Sequence, residues 1–119
     1  MSDLEIRVET KSGNVPVTVI HVSGDIDANS HLELDAKAEE LIKGGARHIL
    51  LNLSDNSYMS SAGFRSMHKI YTALKNTGDE SSGVKLVKPT DEVKRLMKAM
   101  GFELVFPVFE DIDEAVNAF

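Results

Sequence analysis

The chain has 119 residues, of which 42% are hydrophobic and 27% charged, and its 13 basic and 19 acidic side chains leave a net charge of −6. That is enough for a single domain with its own core, with no basic tract to engage nucleic acid and no apolar run near the roughly 20 residues that span a bilayer. Cysteine is absent, which removes disulfides and thiolate–metal chemistry, and the N-terminus lacks the basic-then-apolar layout of a signal peptide, so a cytoplasmic setting is expected.

Taken in chain order, Leu4 to Thr10 alternates apolar and polar residues, with Leu4, Ile6 and Val8 on one face of a half-buried strand. Ser12-Gly13-Asn14 is a turn, and Val15 to Val22 returns as a second strand, completing a hairpin with Pro16 near the strand start. Gly24-Asp25-Ile26-Asp27 breaks that strand. A helix follows from about His31 to Lys43, with Leu34, Ala38, Leu41 and Ile42 on one face and Gly44-Gly45 as its stop.

The continuous apolar run Ile49 to Leu53 predicts a central strand covered on both faces. It leads into Tyr58-Met59-Ser60-Ser61-Ala62-Gly63-Phe64 and a helix whose stripe is Phe64, Met67, Ile70, Tyr71 and Leu74, ending near Thr77-Gly78. Val84 to Val87 is a short strand. Pro89-Thr90 introduces a helix with Val93, Leu96, Met97 and Met100 on its apolar stripe, and Met67, Met97 and Met100 are expected in the core. Leu104 to Phe109 reads as a last strand, placed at an edge by Pro107. Asp111 and Glu114 have the spacing of a capping box for a final helix bearing Ile112, Ala115, Val116 and Phe119. The order β-β-α-β-α-β-α-β-α predicts an α/β fold with a mostly parallel mixed sheet, flanked by about four helices.

Enzyme motifs are missing. There is no phosphate-binding G-x-x-x-x-G-K-[ST] or G-x-G-x-x-G loop, and the serine segment is not a G-x-S-x-G elbow. His68 follows Ser61 by seven residues, about 10 Å of helical rise, too far for a serine–histidine hydrogen bond. The four histidines have no metal-ligand spacing. Chemistry can instead gather at the strand ends. In an open α/β sheet, ligands and partners collect at the carboxyl ends of the strands. Asp25 and Asp27 follow one strand and Ser60 and Ser61 another, so all four can converge on one surface. At a helix N-terminus a serine can cap the free N–H groups or carry a phosphate that those groups tolerate.

Together, Gly24-Asp25-Ile26-Asp27, His48-Ile49-Leu50-Leu51-Asn52-Leu53-Ser54 and Tyr58-Met59-Ser60-Ser61-Ala62-Gly63-Phe64 resemble the anti-sigma factor antagonists, the single-domain members of the STAS family. Val93-Lys94-Arg95-Leu96, Gly101-Phe102 and Val105-Phe106-Pro107 match in order as well, so the resemblance spans nearly the whole chain. It implies a non-enzymatic, cofactor-free protein that binds a kinase-type anti-sigma factor and so frees a sigma factor. That kinase, supplying ATP, would switch the protein off by phosphorylating a loop serine, and a phosphatase would reset it. The matching acceptor is Ser61. Ser60 stands where the family often has Asp and Ala62 where it often has a second hydroxyl, which makes Ser60 a rival acceptor.

The same resemblance makes Asp25, Asp27, Ser60, Ser61, Ala62 and Gly63 the expected partner contacts. The outward helix positions Arg65, Lys69 and Thr72 join them. A monomer or weak dimer is the expected assembly. Other STAS-like roles, a scaffold subunit or a small-ligand or lipid-transport accessory domain, remain open as alternatives.

Overall fold

In the computed structural model, which describes residues 4–119, the elements follow the order expected from the sequence. Strands β1 (Glu5–Ser12) and β2 (Pro16–Ser23) form an antiparallel hairpin. Helix α1 (His31–Lys43), strand β3 (His48–Asp55), helix α2 (Ser61–Lys75) and strand β4 (Gly83–Val87) come next. Helix α3 (Asp91–Ala99), strand β5 (Val108–Phe109) and helix α4 (Ile112–Asn117) complete the fold. Spatial order equals chain order, β1-β2-β3-β4-β5, and every pair after the hairpin is parallel.

Strand alternation sorts the core into two layers. Ile20, Val22, Ile49, Leu51, Leu53, Val84 and Leu86 point to one face and pack with Leu34, Phe64, Met67, Leu74, Val93 and Met97 of α1, α2 and α3. Val17, Val19, Leu50 and Val87 point to the other face, where Ala115 and Val116 of α4 cover them. β3 lies in the middle of the sheet and contributes fully buried residues to both layers, as its unbroken apolar run predicts.

Helix α4 meets the hairpin at its turn, where Asn14 Nδ2 donates to Asn117 O at 3.1 Å, and the opposite end of this face carries polar side chains. There His21 Nε2–H donates to Glu9 Oε1 at 2.8 Å, and His21 Nδ1 accepts from Asn52 Nδ2 at 2.8 Å. A polar chain thus crosses β1, β2 and β3.

Three expectations need correction, the smallest being Leu96, expected on the apolar stripe of α3 but 41% exposed. The strand expected over Leu104 to Phe109 is only Val108–Phe109. The segment before it winds into a turn, with both Val105 and Phe106 N–H donating to Phe102 O. Pro107 has no N–H for a ladder and contributes only its carbonyl, which accepts from Leu86 N at 2.9 Å. The turn drives Phe106 into the core, fully buried and edge-on to both Tyr71 and Phe102, while Leu104 is left 91% exposed. Met100 is the third correction. Met67 and Met97 are core residues, but Met100 is half exposed, because α3 ends at Ala99 and the left-handed Gly101 turns the chain away.

Phe106 is therefore the residue through which the irregular segment before β5 attaches to the rest of the protein. Phe106→Ala should cost about 3–5 kcal/mol of unfolding free energy, read from urea denaturation. Leu104→Ala should stay within about 0.5 kcal/mol of the parent.

Candidate functional site

The carboxyl ends of β2 and β3 each open into a loop, and the two loops are joined through the backbone. Gly24, at φ 101° in the left-handed region that glycine adopts without strain, turns the chain out of β2. Its N–H donates to Asp55 O at 3.1 Å. Two residues further, Ile26 forms a parallel bridge with Met59. Ile26 N–H donates to Tyr58 O at 3.0 Å, and Ser60 N–H donates to Ile26 O at 2.8 Å. Because Asp25 and Asp27 flank Ile26, this bridge sets both beside the segment Tyr58–Ser60. The expected convergence of the acidic turn and the serine loop is therefore present in the fold.

Each side of the bridge is held by its own polar contacts. Ser30 Oγ accepts from Asp27 N at 2.9 Å and donates to Asp25 O at 2.8 Å. The Asp27 carboxylate accepts from Ser30 N at 2.8 Å and from Asn29 N at 2.9 Å. These donors, the Ser30 N–H first, hold the Asp27 carboxyl below its ordinary range. Its contribution to stability is present above the unfolded carboxylate pKa and is lost as pH falls through the lowered value. Asp25 is exposed and accepts from Ser57 Oγ at 2.9 Å.

The residue that sequence reasoning missed is Asn56. It is 3% exposed, and its Nδ2 donates to Gly24 O at 2.8 Å and to Tyr58 O at 2.9 Å. One amide thus clamps the two loops together from below. Nothing in the sequence distinguishes it, because Asn56 is one of four consecutive polar residues, Ser54-Asp55-Asn56-Ser57, and reads as an ordinary loop residue.

The serines separate sharply. Ser60 is the N-cap of α2 by backbone conformation, but its side chain makes no capping bond, and its Oγ is buried without a partner. Ser61 is the first helical residue and is exposed. Ala62 and Gly63 are both buried, so their side-chain positions serve packing and are not open to a partner. A Cβ on Gly63 would lie 2.4 Å from Met59 Cγ and 3.0 Å from Ile26 Cγ2. Glycine is what lets the first turn of α2 sit against the bridge. Arg65, Lys69 and Thr72 are exposed along α2, as expected.

Beside them, His31, Asp35, Arg65, His68, Lys69 and Phe102 contribute to the walls of a shallow cleft of about 470 Å³ between α1, α2 and the end of α3. In it, Asp35 Oδ2 lies 3.4 Å from Lys69 Nζ and 3.3 Å from His31 Nδ1. Among the described residues no cluster of His, Cys, Asp or Glu is arranged to hold a metal, and no helix is long and apolar enough to cross a membrane.

A family model described as STAS domain matches residues 5–115. The chain belongs to the STAS domain family. Solved structures agree on the fold. An anti-sigma factor antagonist from Mycobacterium paratuberculosis superposes with a TM-score of 0.83 at 22% identity, covering 98% of this chain and 93% of that one. A putative anti-sigma factor antagonist from Thermotoga maritima gives 0.83 at 17% identity, over 95% and 92%. The phosphorylated form of the Bacillus cell fate determinant SpoIIAA gives 0.74 at 17% identity, over 96% and 98%. These likenesses show that the STAS chain here has the SpoIIAA-like fold: a mixed five-stranded sheet, parallel beyond its N-terminal hairpin, with four helices.

Three substitutions test the construction of the site. Gly63→Ala should destabilise the STAS domain by about 1–3 kcal/mol through overpacking, and Met59→Ala in the same chain should recover part of that loss. Additive effects in a chemical-denaturation cycle would show that the two do not touch. Asn56→Ala leaves two carbonyls without their donor and should cost about 1–3 kcal/mol. Amide exchange of Ile26 and Ser60 should accelerate ahead of exchange in β3.

Proposed function

We propose that this STAS domain is a phosphorylation-switched anti-sigma factor antagonist, with Ser61 as its acceptor. In its unphosphorylated form it binds a kinase-type anti-sigma factor and thereby frees a sigma factor. The kinase brings ATP and the catalytic groups, and a phosphatase resets the switch in the cytoplasm. The domain itself contributes a surface and one hydroxyl, with no catalytic or cofactor role. The observation that carries this reading is the contrast between the two serines at the start of α2: an exposed Ser61 and a Ser60 whose Oγ is buried. A kinase must reach the oxygen that it modifies, so burial disfavours the rival acceptor. Two structural relatives support the reading, since SpoIIAA has both an unphosphorylated and a phosphorylated form.

The physical chemistry of such a switch is local. A phosphate adds about −1.5 to −2 charges and three strong acceptor oxygens. At the first position of α2 it lies by unpaired helical N–H groups and the positive end of the helix dipole, so the free domain can carry it without refolding. Against a partner the same dianion must shed water and face whatever acidic groups lie opposite. An added cost of about 3–4 kcal/mol in the interface would weaken binding by a few hundredfold. Asp25, Asp27 and the exposed side of α2, with Arg65, Lys69 and Thr72, form the surface proposed to meet the kinase.

Incubation with a cognate kinase and ATP, followed by mass-spectrometric mapping, should place phosphate on Ser61. Ser61→Ala should keep kinase binding and resist inactivation, and Ser61→Asp should bind at least about tenfold more weakly in a calorimetric titration. Label confined to Ser60, or equal affinities for wild type and Ser61→Asp, would overturn the proposal. Absence of label with every cognate kinase would favour a STAS role without a switch.

A further inference from the structure

β1 is an outer strand, paired with β2 on one side and, among the described residues, with no strand on the other. An eight-residue free edge is a hazard that proteins commonly blunt with charge. Here the charges fall at every second position, Glu5, Arg7, Glu9 and Lys11, opposite Ser23, His21, Val19 and Val17 of β2. They lie on the sheet face away from α1, α2 and α3, and their signs alternate. Glu9 gives one carboxylate oxygen to His21, whereas Glu5, Arg7 and Lys11 make no salt bridge among the described residues.

Alternating signs at alternating positions are complementary to their own two-fold image. If a second copy of β1 lies antiparallel with the axis at Val8, Glu5 faces Lys11 and Arg7 faces Glu9, and symmetry repeats both pairs. On the other face Ile6 meets Thr10, and Val8 meets Val8. Other registers keep less of this match: an axis at Ile6 retains only Glu5 with Arg7, and one at Thr10 only Glu9 with Lys11. An axis at Arg7 sets Arg7 against Arg7 and Glu5 against Glu9. An axis at Glu9 sets Glu9 against Glu9 and Arg7 against Lys11. An axis between residues opposes charged positions to the apolar Ile6 and Val8. Opposite charges directly across an antiparallel pair stabilise it, and like charges destabilise it.

We propose that β1 is a self-association edge, at which two copies of this chain pair antiparallel about a two-fold axis through Val8 into one continuous sheet. Such a contact is isologous, so it closes at the dimer. It also covers Ile6 and Val8, which are only half-buried where they pack against the helix-side core. A contact confined to one strand per copy falls below the area of a stable dimer, so association is weak and concentration-dependent. The antiparallel axis puts the two Ser61 sites at opposite ends of the joined sheet, and pairing leaves both open. The inference is independent of the proposed phosphorylation switch.

Sedimentation of the wild-type chain over a concentration series should reveal a reversible dimer. Glu5→Lys and Lys11→Glu each convert two attractive pairs into repulsive ones, and each should weaken dimerisation about tenfold or more. The double variant Glu5→Lys/Lys11→Glu should return to wild-type association. The register has a separate test, because the chain contains no cysteine. Val8→Cys should form a disulfide-linked dimer under mild oxidation, whereas Ile6→Cys, facing Thr10, should not. A wild-type chain that stays monomeric at its highest soluble concentration would overturn the proposal. So would a double variant no better than the singles, or equal cross-linking at both cysteines.

Discussion

The backbone bridge between Ile26 and Met59 is the constraint on which the functional end of this domain depends. Two loops leaving neighbouring parallel strands have no reason to stay together once their strands end, and each would lose conformational entropy on ordering. Here Ile26 exchanges a pair of hydrogen bonds with Tyr58 and Ser60, which continues the β2–β3 pairing past a register shift near Ser23. The side chains of Ile26 and Met59 are buried beneath it, and Gly63 is the space that they need. Asn56 ties the same two loops with a single amide. The outcome is a platform in which Asp25, Asp27 and the start of α2 hold fixed positions while their polar groups remain at the surface.

Under the proposed switch, that arrangement separates stability from signalling. Core residues, the bridge and the buried Ser60 oxygen all lie below the surface, and Ser61 lies above it. A charge placed on Ser61 Oγ need not disturb the packing underneath, since helix N–H groups already favour negative charge there. The effect would be felt where water is excluded, in a partner's interface. The basic residues on the outer side of α2 and the acidic residues of the turn give that surface two signs of charge. Electrostatic patterning of this kind discriminates between partners more than it adds raw affinity.

The two sheet faces differ for a related reason. Three helices cover the first face, and the six-residue α4 covers only part of the second. Beyond α4 the strands carry polar residues on that face: Glu9, His21 and Asn52 in a hydrogen-bonded chain across β1, β2 and β3, with Arg7 and Lys11 on β1. In the hairpin strand β1, alternation of charged and apolar residues records which face has helices and which has water.

Much of this was legible from the sequence because it rests on periodicity. Alternation in β1, the unbroken run of β3, the stripe of α2 and the Asp111 cap of α4 each report a local environment, and the structure realises them within a residue or two at most boundaries. The adjacency of the acidic turn to the serine loop was also legible, since a parallel sheet brings the carboxyl ends of its strands together. What the sequence could not settle depended on contacts between distant segments. Phe106 left its strand pattern because a cavity beside Tyr71 and Phe102 could bury it and Pro107 could not continue a ladder. Met100 fell outside the core because α3 stopped one residue before it. Ser60 and Ser61 are identical in chemistry and adjacent in the chain, so no local rule distinguishes them. Only the bridge to Ile26, by fixing how the chain enters α2, turned one hydroxyl inward and the other to solvent.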